Sequence, residues 1–278
     1  MNKIDTNEFF LLRDFIEKHC GIHLDENKNY LIETRLTTLM AESGCRTYSE
    51  FYYKAKNDPS NRLREKIIDA ITTNETLWFR DSSPFATFKN YFLPKYLNEI
   101  TSDKKKKIRI WSSACSTGQE PYSLAMYILD YCRIQKSLRP EHFEIIATDI
   151  SPTVLFIAQA GRYDSHIMSR GLSEEYRNRY FNWDGKVWLI SDEVKKMVTF
   201  KKLNLQDNFT SFGKMDLIFC RNVLIYFSED LKKNLLKRFA DLLRPAGYLF
   251  LGSSESISNY SSEYIMQNFE KSLFYQVK

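Results

Sequence analysis

A strand, a tight turn and a helix are predicted in immediate succession between Lys107 and Tyr122. The segment KIRIWSSACSTGQEPY begins with an apolar, β-branched run and continues through six small or polar residues, Ser112 to Thr117. Apolar residues at helical spacing follow Pro121, which suits a first helical turn. Small residues at such a turn let the backbone approach a ligand, and the new helix points free N–H groups at it. The segment therefore favours an α/β fold with a ligand site at this turn.

A second predicted strand, Phe143 to Ile150, ends with an acid at Asp149. An acid at the end of the second strand of an α/β sheet is where nucleotide-type cofactors have their ribose hydroxyls held. The alternative is an ordinary βαβ unit with a solvated aspartate. One later predicted strand ends in Asn204-Leu205 and another is followed by Asn222, at the sheet edge where such folds bind ligands. This agreement favours the cofactor interpretation.

The remaining pattern predicts three further features of the architecture. Residues 1 to about 80 show apolar faces at helical spacing, which indicates a helical region, although the composition of residues 71–81 is not helix-like. Strands predicted at 198–205, 215–220 and 248–252 alternate with helices, which favours a mostly parallel sheet covered on both faces. Residues 161–200 interrupt this alternation, and Asp184-Gly185 between aromatic and β-branched residues predicts a hairpin in a small β insertion. The alternative for the insertion is a plain loop.

Composition excludes several classes of protein. Forty-three per cent of the 278 residues are apolar, enough for a sizeable core, and a net charge of +5 is too modest to imply nucleic acid. No apolar run approaches the roughly 20 residues of a membrane span, and the charged N-terminus lacks a signal-peptide core. Five irregularly spaced cysteines predict reduced thiols in the cytoplasm. The four scattered histidines predict no metal site.

The turn at Ala114 to Gly118 bears on the choice of cofactor. It contains one glycine, whereas a dinucleotide site needs a G-x-G-x-x-G pattern. Glu120 beside the turn repels phosphates and suits a cation. S-adenosylmethionine carries a positive sulfonium and an ammonium group and no phosphate. The sequence therefore favours S-adenosylmethionine over NAD or ATP.

Five motifs together resemble the CheR family of chemotaxis receptor glutamate methyltransferases. They are TNETLWFR from Thr73, STGQEPYS from Ser116, ATDI from Ala147, Asn204-Leu205, and FCRNVLIYF from Phe219. The resemblance implies a class I, Rossmann-like methyltransferase domain over residues 81–278, with its β subdomain at about 161–200. A helical receptor-binding domain and linker would occupy residues 1–80. The implied reaction forms methyl esters on glutamates of receptor signalling helices and leaves S-adenosylhomocysteine.

The resemblance also implies site residues. The cofactor pocket would comprise Asn74, Thr76, Arg80, Glu120, Asp149, Asn204, Leu205, Asn222 and Val223. Arg80 and Tyr226 would act in catalysis, and Arg35, Arg46, Lys54, Lys56, Arg62 and Arg64 would bind the receptor. Several of these assignments have a structural alternative. These are turn formation by Asn74 and Thr76, a helix N-terminal acid at Glu120, a strand-end cap at Asn222, a core side chain at Tyr226, and a salt bridge from Arg80 to Asp81 or to a neighbouring helix.

The implied chemistry needs no general base. A glutamate side chain has a pKa of about 4.3 and is ionised at neutral pH, so catalysis rests on alignment and exclusion of water. We expect Arg80 to orient the substrate carboxylate, because its planar fork matches one.

The sequence also bears on partners. The predicted hairpin loop, residues 182–186, is shorter than in family members that grip a tethering pentapeptide at the receptor C-terminus. We therefore expect that this chain needs no such peptide. Separately, we expect a monomer. Two alternative functions stay open: a methyltransferase with another acceptor, and a non-catalytic adaptor that binds the cofactor or a nucleotide and docks on a receptor.

Overall fold

Four helices form the N-terminal part of the chain in the computed structural model, which describes residues 3–278. Residues 1 and 2 of the predicted N-terminal domain lie outside the described residues. The helices are α1 (Thr6–Cys20), α2 (Asn29–Glu42), α3 (Tyr48–Lys56) and α4 (Arg62–Ile71). Their apolar faces meet in one core around Leu12, Ile32 and Tyr48, which are fully buried. The helical interpretation of this region is confirmed up to Ile71, after which residues 72–82 are irregular.

A seven-stranded sheet forms the remainder, in the order β6-β2-β1-β7-β8-β10-β9. The strands are β1 (Ile108–Ser113), β2 (Phe143–Asp149), β6 (Val198–Lys202), β7 (Met215–Cys220), β8 (Leu243–Leu251), β9 (Tyr264–Phe269) and β10 (Ser272–Val277). The first five strands in this order pair in parallel, and β10 and β9 add antiparallel pairs. The predicted sheet with both faces covered is confirmed.

Helices cover both faces of this sheet. They are α5 (Ser83–Thr87), a π-helical turn (Phe88–Phe92), α6 (Leu93–Thr101), α7 (Gln119–Ile134), α8 (Pro152–Ala160) and α12 (Glu229–Leu242). Successive strand residues face opposite sides, so Ile110 joins one core and Trp111 the other. On the first side, the rings of Phe219 and Phe250 stack with centroids 4.6 Å apart.

Two strand boundaries differ from the sequence prediction. Strand β8 begins at Leu243 rather than 248, because Leu243 already pairs with Met215 before an irregularity in the register. Strand β6 ends at Lys202, so Asn204 lies in the following loop. The partner of β10, strand β9, was not predicted.

The small β insertion is confirmed. Its strands are β3 (Arg162–Tyr163), β4 (Phe181–Trp183) and β5 (Trp188–Ile190), in the order β3-β5-β4, with short helices α9 (Ser165–Ser169), α10 (Glu174–Tyr180) and α11 (Asp192–Lys195). Strands β4 and β5 form the predicted antiparallel hairpin, in which Trp183 is opposite Trp188. Across residues 3–278, no helix is long and apolar enough to cross a membrane.

Candidate functional site

A cavity lies at the carboxyl ends of β1, β2, β6 and β7. Every residue predicted for the cofactor pocket lines it: Asn74, Thr76, Arg80, Glu120, Asp149, Asn204, Leu205, Asn222 and Val223, together with Tyr226. None of the six predicted receptor-binding residues, all of which the structure describes, is among the residues lining this cavity. The convergence follows from the topology, because the carboxyl ends of parallel strands meet at one edge.

The turn after β1 brings backbone close to the end of β2. Ala114, Ser116 and Gly118 have φ values of +57°, +50° and +93°. A Cβ at Gly118 would lie 3.0 Å from the Cβ of Ala158, so the turn needs glycine there. Left-handed backbone at non-glycine residues costs about 1–3 kcal/mol each and concentrates at functional sites.

Asp149 is held by this turn and is 6% exposed. Its carboxylate accepts the backbone N–H of Ser116 at 2.8 Å and of Ser151 at 3.0 Å, one on each oxygen. Burial raises its pKa above the ordinary value, against the lowering effect of these hydrogen bonds. Each oxygen keeps an acceptor site, so the group suits a pair of hydroxyls. The alternative of a solvated aspartate is wrong.

A buried arginine that the sequence analysis did not select joins three segments at the cavity. The side chain of Arg221 is 2% exposed and donates to Glu120 at 2.9 Å and to Asp81 at 2.8 Å. It also donates to the carbonyl of Arg80 at 2.7 Å. A charged residue directly after a buried strand, inside a motif already quoted, was a signal that could have identified it.

Arg80 is half-buried and lines the cavity. Its Nη1 donates to the carbonyl of Glu75 at 3.1 Å. Since Asp81 pairs with Arg221, the structure contains no Arg80–Asp81 salt bridge among the ion pairs of the described residues, and that alternative is wrong. Glu120 also accepts the hydroxyl of Ser112 at 2.7 Å.

Arg35 fixes the linker that carries Asn74 and Thr76. Its guanidinium, on α2, donates to the carbonyls of Ile71 at 2.5 Å and Thr72 at 3.0 Å, and to the hydroxyl of Thr73 at 3.0 Å. This predicted receptor-binding side chain is therefore engaged inside the protein, at the start of the segment that lines the cavity.

The N-terminal helical region forms one wall of the cavity. Cys20 and Ile22 line it, and neither was predicted. The Asn204 side chain donates to the carbonyl of His19 at 2.8 Å, and the backbone N–H of His23 donates to the carbonyl of Tyr226 at 2.8 Å. Nothing in the local sequence around Cys20 and Ile22 indicates this position, because it depends on how two distant segments pack.

Family comparisons agree with this geometry. The family model described as "CheR methyltransferase, SAM binding domain" matches residues 74–272, and "CheR methyltransferase, all-alpha domain" matches residues 7–72. The chain belongs to the CheR methyltransferase family. The cavity lies between the segments that these two models match, with residues from both in its lining.

Full-length relatives carry names consistent with this CheR assignment. "Chemotaxis protein methyltransferase Cher2" of Pseudomonas putida is 43% identical over 272 residues, covering 98% of each chain. "Chemotaxis protein methyltransferase 1" of Pseudomonas aeruginosa has the same identity and coverage. "Chemotaxis protein methyltransferase" of Vibrio anguillarum is 40% identical over 277 residues, covering 99% of this chain and 98% of the relative.

The charges of this CheR-family cavity fit S-adenosylmethionine. The described lining residues include the carboxyl groups of Glu120 and Asp149, whereas the carboxylate of Glu75 is 65% exposed and pairs with Arg170 at 2.8 Å. S-adenosylmethionine carries a positive sulfonium and an ammonium group, which suit the carboxylate of Glu120, and two ribose hydroxyls, which suit that of Asp149. The carboxylates of the cavity therefore agree with the family assignment to a SAM-binding domain.

Proposed function

We propose that this chain transfers the methyl group of S-adenosylmethionine to glutamate side chains of chemotaxis receptors, with methyl esters and S-adenosylhomocysteine as products. The observation that carries the proposal is the convergence of all ten predicted pocket and catalytic residues on one cavity in a CheR-family chain. The full-length relatives are named chemotaxis protein methyltransferases, which supports an acceptor that belongs to chemotaxis.

Different residues of the cavity would contact different parts of the cofactor. Asp149 would accept the ribose hydroxyls, and Asn204 and Leu205 would wall the adenine side. Asn222 and Val223 would face the methionine portion together with Glu120, whose carboxylate also forms an ion pair with Arg221. Glu120 then acts as a polar neighbour of the ligand's ammonium as well as a partner of Arg221.

When bound, the cofactor supplies a methyl group on a positive sulfonium. The chain's own residues would align the acceptor carboxylate with that methyl group and exclude water. Arg80 uses one donor on the carbonyl of Glu75 and has further donors to orient a carboxylate. Tyr226 is half-buried in a turn that lines the cavity and also packs against one apolar core; its exposed part would contact the acceptor.

The receptor would dock on the basic side chains of the helical region. Arg46, Lys54, Lys56 and Arg62 are exposed, and Arg64 is half-buried. The proposal includes a helical receptor-binding domain and linker over residues 1–80. It also includes a monomer in the cytoplasm that needs no receptor C-terminal peptide. The short loop between β4 and β5 supports the last point; there Asp184 accepts the backbone N–H groups of Lys186 and Val187.

Methyl transfer to receptor-bearing membranes tests the proposal. We expect label from methyl-labelled S-adenosylmethionine on receptor-sized protein, released as methanol by mild alkali. Asp149→Ala should abolish the labelling, whereas Asp241→Ala, an exposed acid on α12, should not. Alkali-stable label would indicate another acceptor. Cofactor binding without any label, repeated with several receptors, would favour the adaptor alternative.

A further inference from the structure

Residues 222–226, within the segment after β7, supply three residues to the cavity and begin in a left-handed backbone conformation. Asn222, Val223 and Tyr226 line the cavity, and Asn222 has a φ of +58°. Within the segment, the N–H of Tyr226 donates to the carbonyl of Val223. The N–H groups of Asn222, Val223 and Ile225 have left the sheet and have no neighbouring strand to pair with. A separate group must hold them in place.

Glu255 is that group. One oxygen of its carboxylate accepts the backbone N–H of Asn222 at 2.8 Å and of Gly252 at 2.7 Å. The other accepts the N–H of Val223 at 3.0 Å and of Ile225 at 3.3 Å. Hydrogen bonds to an ionised acceptor are about twice as strong as neutral ones, so the four donors converge on a strong anchor.

The approach between the two loops is close. A Cβ at Gly252 would lie 2.6 Å from Nδ2 of Asn222 and 2.8 Å from Oε2 of Glu255. Gly252 therefore leaves the space in which the carboxylate reaches the segment. Glu255 itself is half-buried and belongs to none of the three apolar cores.

We propose that Glu255 is a positioning residue of the methyltransferase site, which sets the backbone of residues 222–226 and so the places of Asn222, Val223 and Tyr226. The inference rests on the proposed cofactor site. Three of the four N–H donors belong to the segment that lines the cavity, so loss of the carboxylate should loosen this segment and leave the cores intact.

Glu255→Gln tests the proposal with little change in size. The amide nitrogen cannot accept, so one pair of backbone N–H groups loses its partner. We expect the Kd for S-adenosylhomocysteine, measured by calorimetry without receptor, to rise about tenfold or more. Glu263→Gln is the matched control, because Glu263 is an exposed acid near the same terminus and does not line the cavity.

Two further measurements separate positioning from general destabilisation. In Glu255→Gln, amide hydrogen exchange should accelerate over residues 222–226, with the strands β1 and β7 unchanged. Gly252→Ala should reproduce both effects by displacing the carboxylate and Asn222, whereas Glu255→Asp, which keeps the charge, should recover part of the affinity.

The proposal is overturned if Glu255→Gln binds S-adenosylhomocysteine with the wild-type Kd, or if affinity and exchange change only in step with a lowered melting temperature. If the variant does not fold, amide hydrogen exchange is measured in the wild type instead. The proposal is also overturned if the amides of Asn222 and Val223 exchange as fast as those of an exposed loop. A wild-type protein that binds no cofactor would count instead against the proposed function, since the exchange measurement does not depend on the cofactor.

Discussion

Two buried charges at the cavity are accommodated by different means. Asp149 receives backbone N–H groups from the turn and from the start of α8, whereas Arg221 is surrounded by two carboxylates and a carbonyl. Burial of an isolated charge is costly, so each group needs these partners, although the Nε of Arg221 is buried without one. Removing one partner of Arg221 would leave an uncompensated charge beside the cofactor site.

Cofactor affinity should depend on the ionisation of Asp149. Burial raises the pKa of this carboxyl, so it gains a proton at a higher pH than the ordinary aspartate value of about 3.9. The protonated form loses acceptor capacity for hydroxyl donors. We therefore expect the Kd for S-adenosylmethionine to rise as pH falls towards this raised pKa, measured by calorimetry from pH 7.5 downwards.

Asp149→Asn provides the comparison for this pH dependence. Its affinity should be weaker by at least about thirtyfold, because hydrogen bonds to a charged group contribute roughly 1.5–3 kcal/mol each. It should also vary less with pH. Melting temperatures at each pH would separate acid unfolding from loss of binding. An unchanged pH profile in Asp149→Asn would assign the dependence to another group.

At the scale of elements, the irregular linker between α4 and α5 is as much a part of the site as the turn after β1. The linker meets the turn through the hydroxyl of Ser116, which donates to the carbonyl of Asn74 at 2.8 Å. The composition of residues 71–81 predicts a non-helical segment, and the structure confirms it from residue 72. The path of the segment, however, is set by Arg35 on α2.

Arg35→Ala should weaken cofactor binding in the absence of any receptor. The substitution removes three hydrogen bonds that hold the end of α4 and the start of the linker. We expect an increase of about tenfold in the Kd for S-adenosylhomocysteine and a loss of roughly 1–3 kcal/mol in the free energy of unfolding. Calorimetry and denaturant titration would measure the two effects.

Lys54→Ala serves as the control, because Lys54 was predicted for the same receptor surface but is exposed and donates to the carbonyl of Ser43, far from the linker in sequence. It should bind the cofactor normally. If Arg35→Ala changed receptor binding while the cofactor Kd stayed constant, Arg35 would belong to the receptor surface as the sequence analysis expected.

At the scale of the whole molecule, the helical region and the sheet are joined around the cavity. Asp69 on α4 accepts the hydroxyls of Ser151 and Thr153 at the start of α8, directly after Asp149. A short antiparallel bridge joins Ile22 to Phe227. The cavity is therefore completed only when the two parts pack together.

Cofactor binding should stabilise the end of α1 as well as the sheet. Because Cys20 and Ile22 line the cavity, we expect S-adenosylhomocysteine to slow amide hydrogen exchange over residues 19–23. The helix α3, which does not reach the cavity, is the internal reference and should change less. Protection confined to the turn and the sheet would show that the helical region does not contribute to binding.

Local chemistry was sufficient to predict much of this protein. The small residues after β1 and the acid at the end of β2 indicated the site, and the polar residues that follow later strands had to converge on it because parallel strands share one carboxyl edge. The hairpin at Asp184-Gly185 was likewise a short-range signal. Three-dimensional packing decided the remainder: Arg221 meets Asp81 across 140 positions of the chain. Glu255, Arg35 and the end of α1 contact distant segments mainly through backbone groups. All residue types except proline, which lacks the N–H, present the same backbone groups, so the local sequence does not identify such partners.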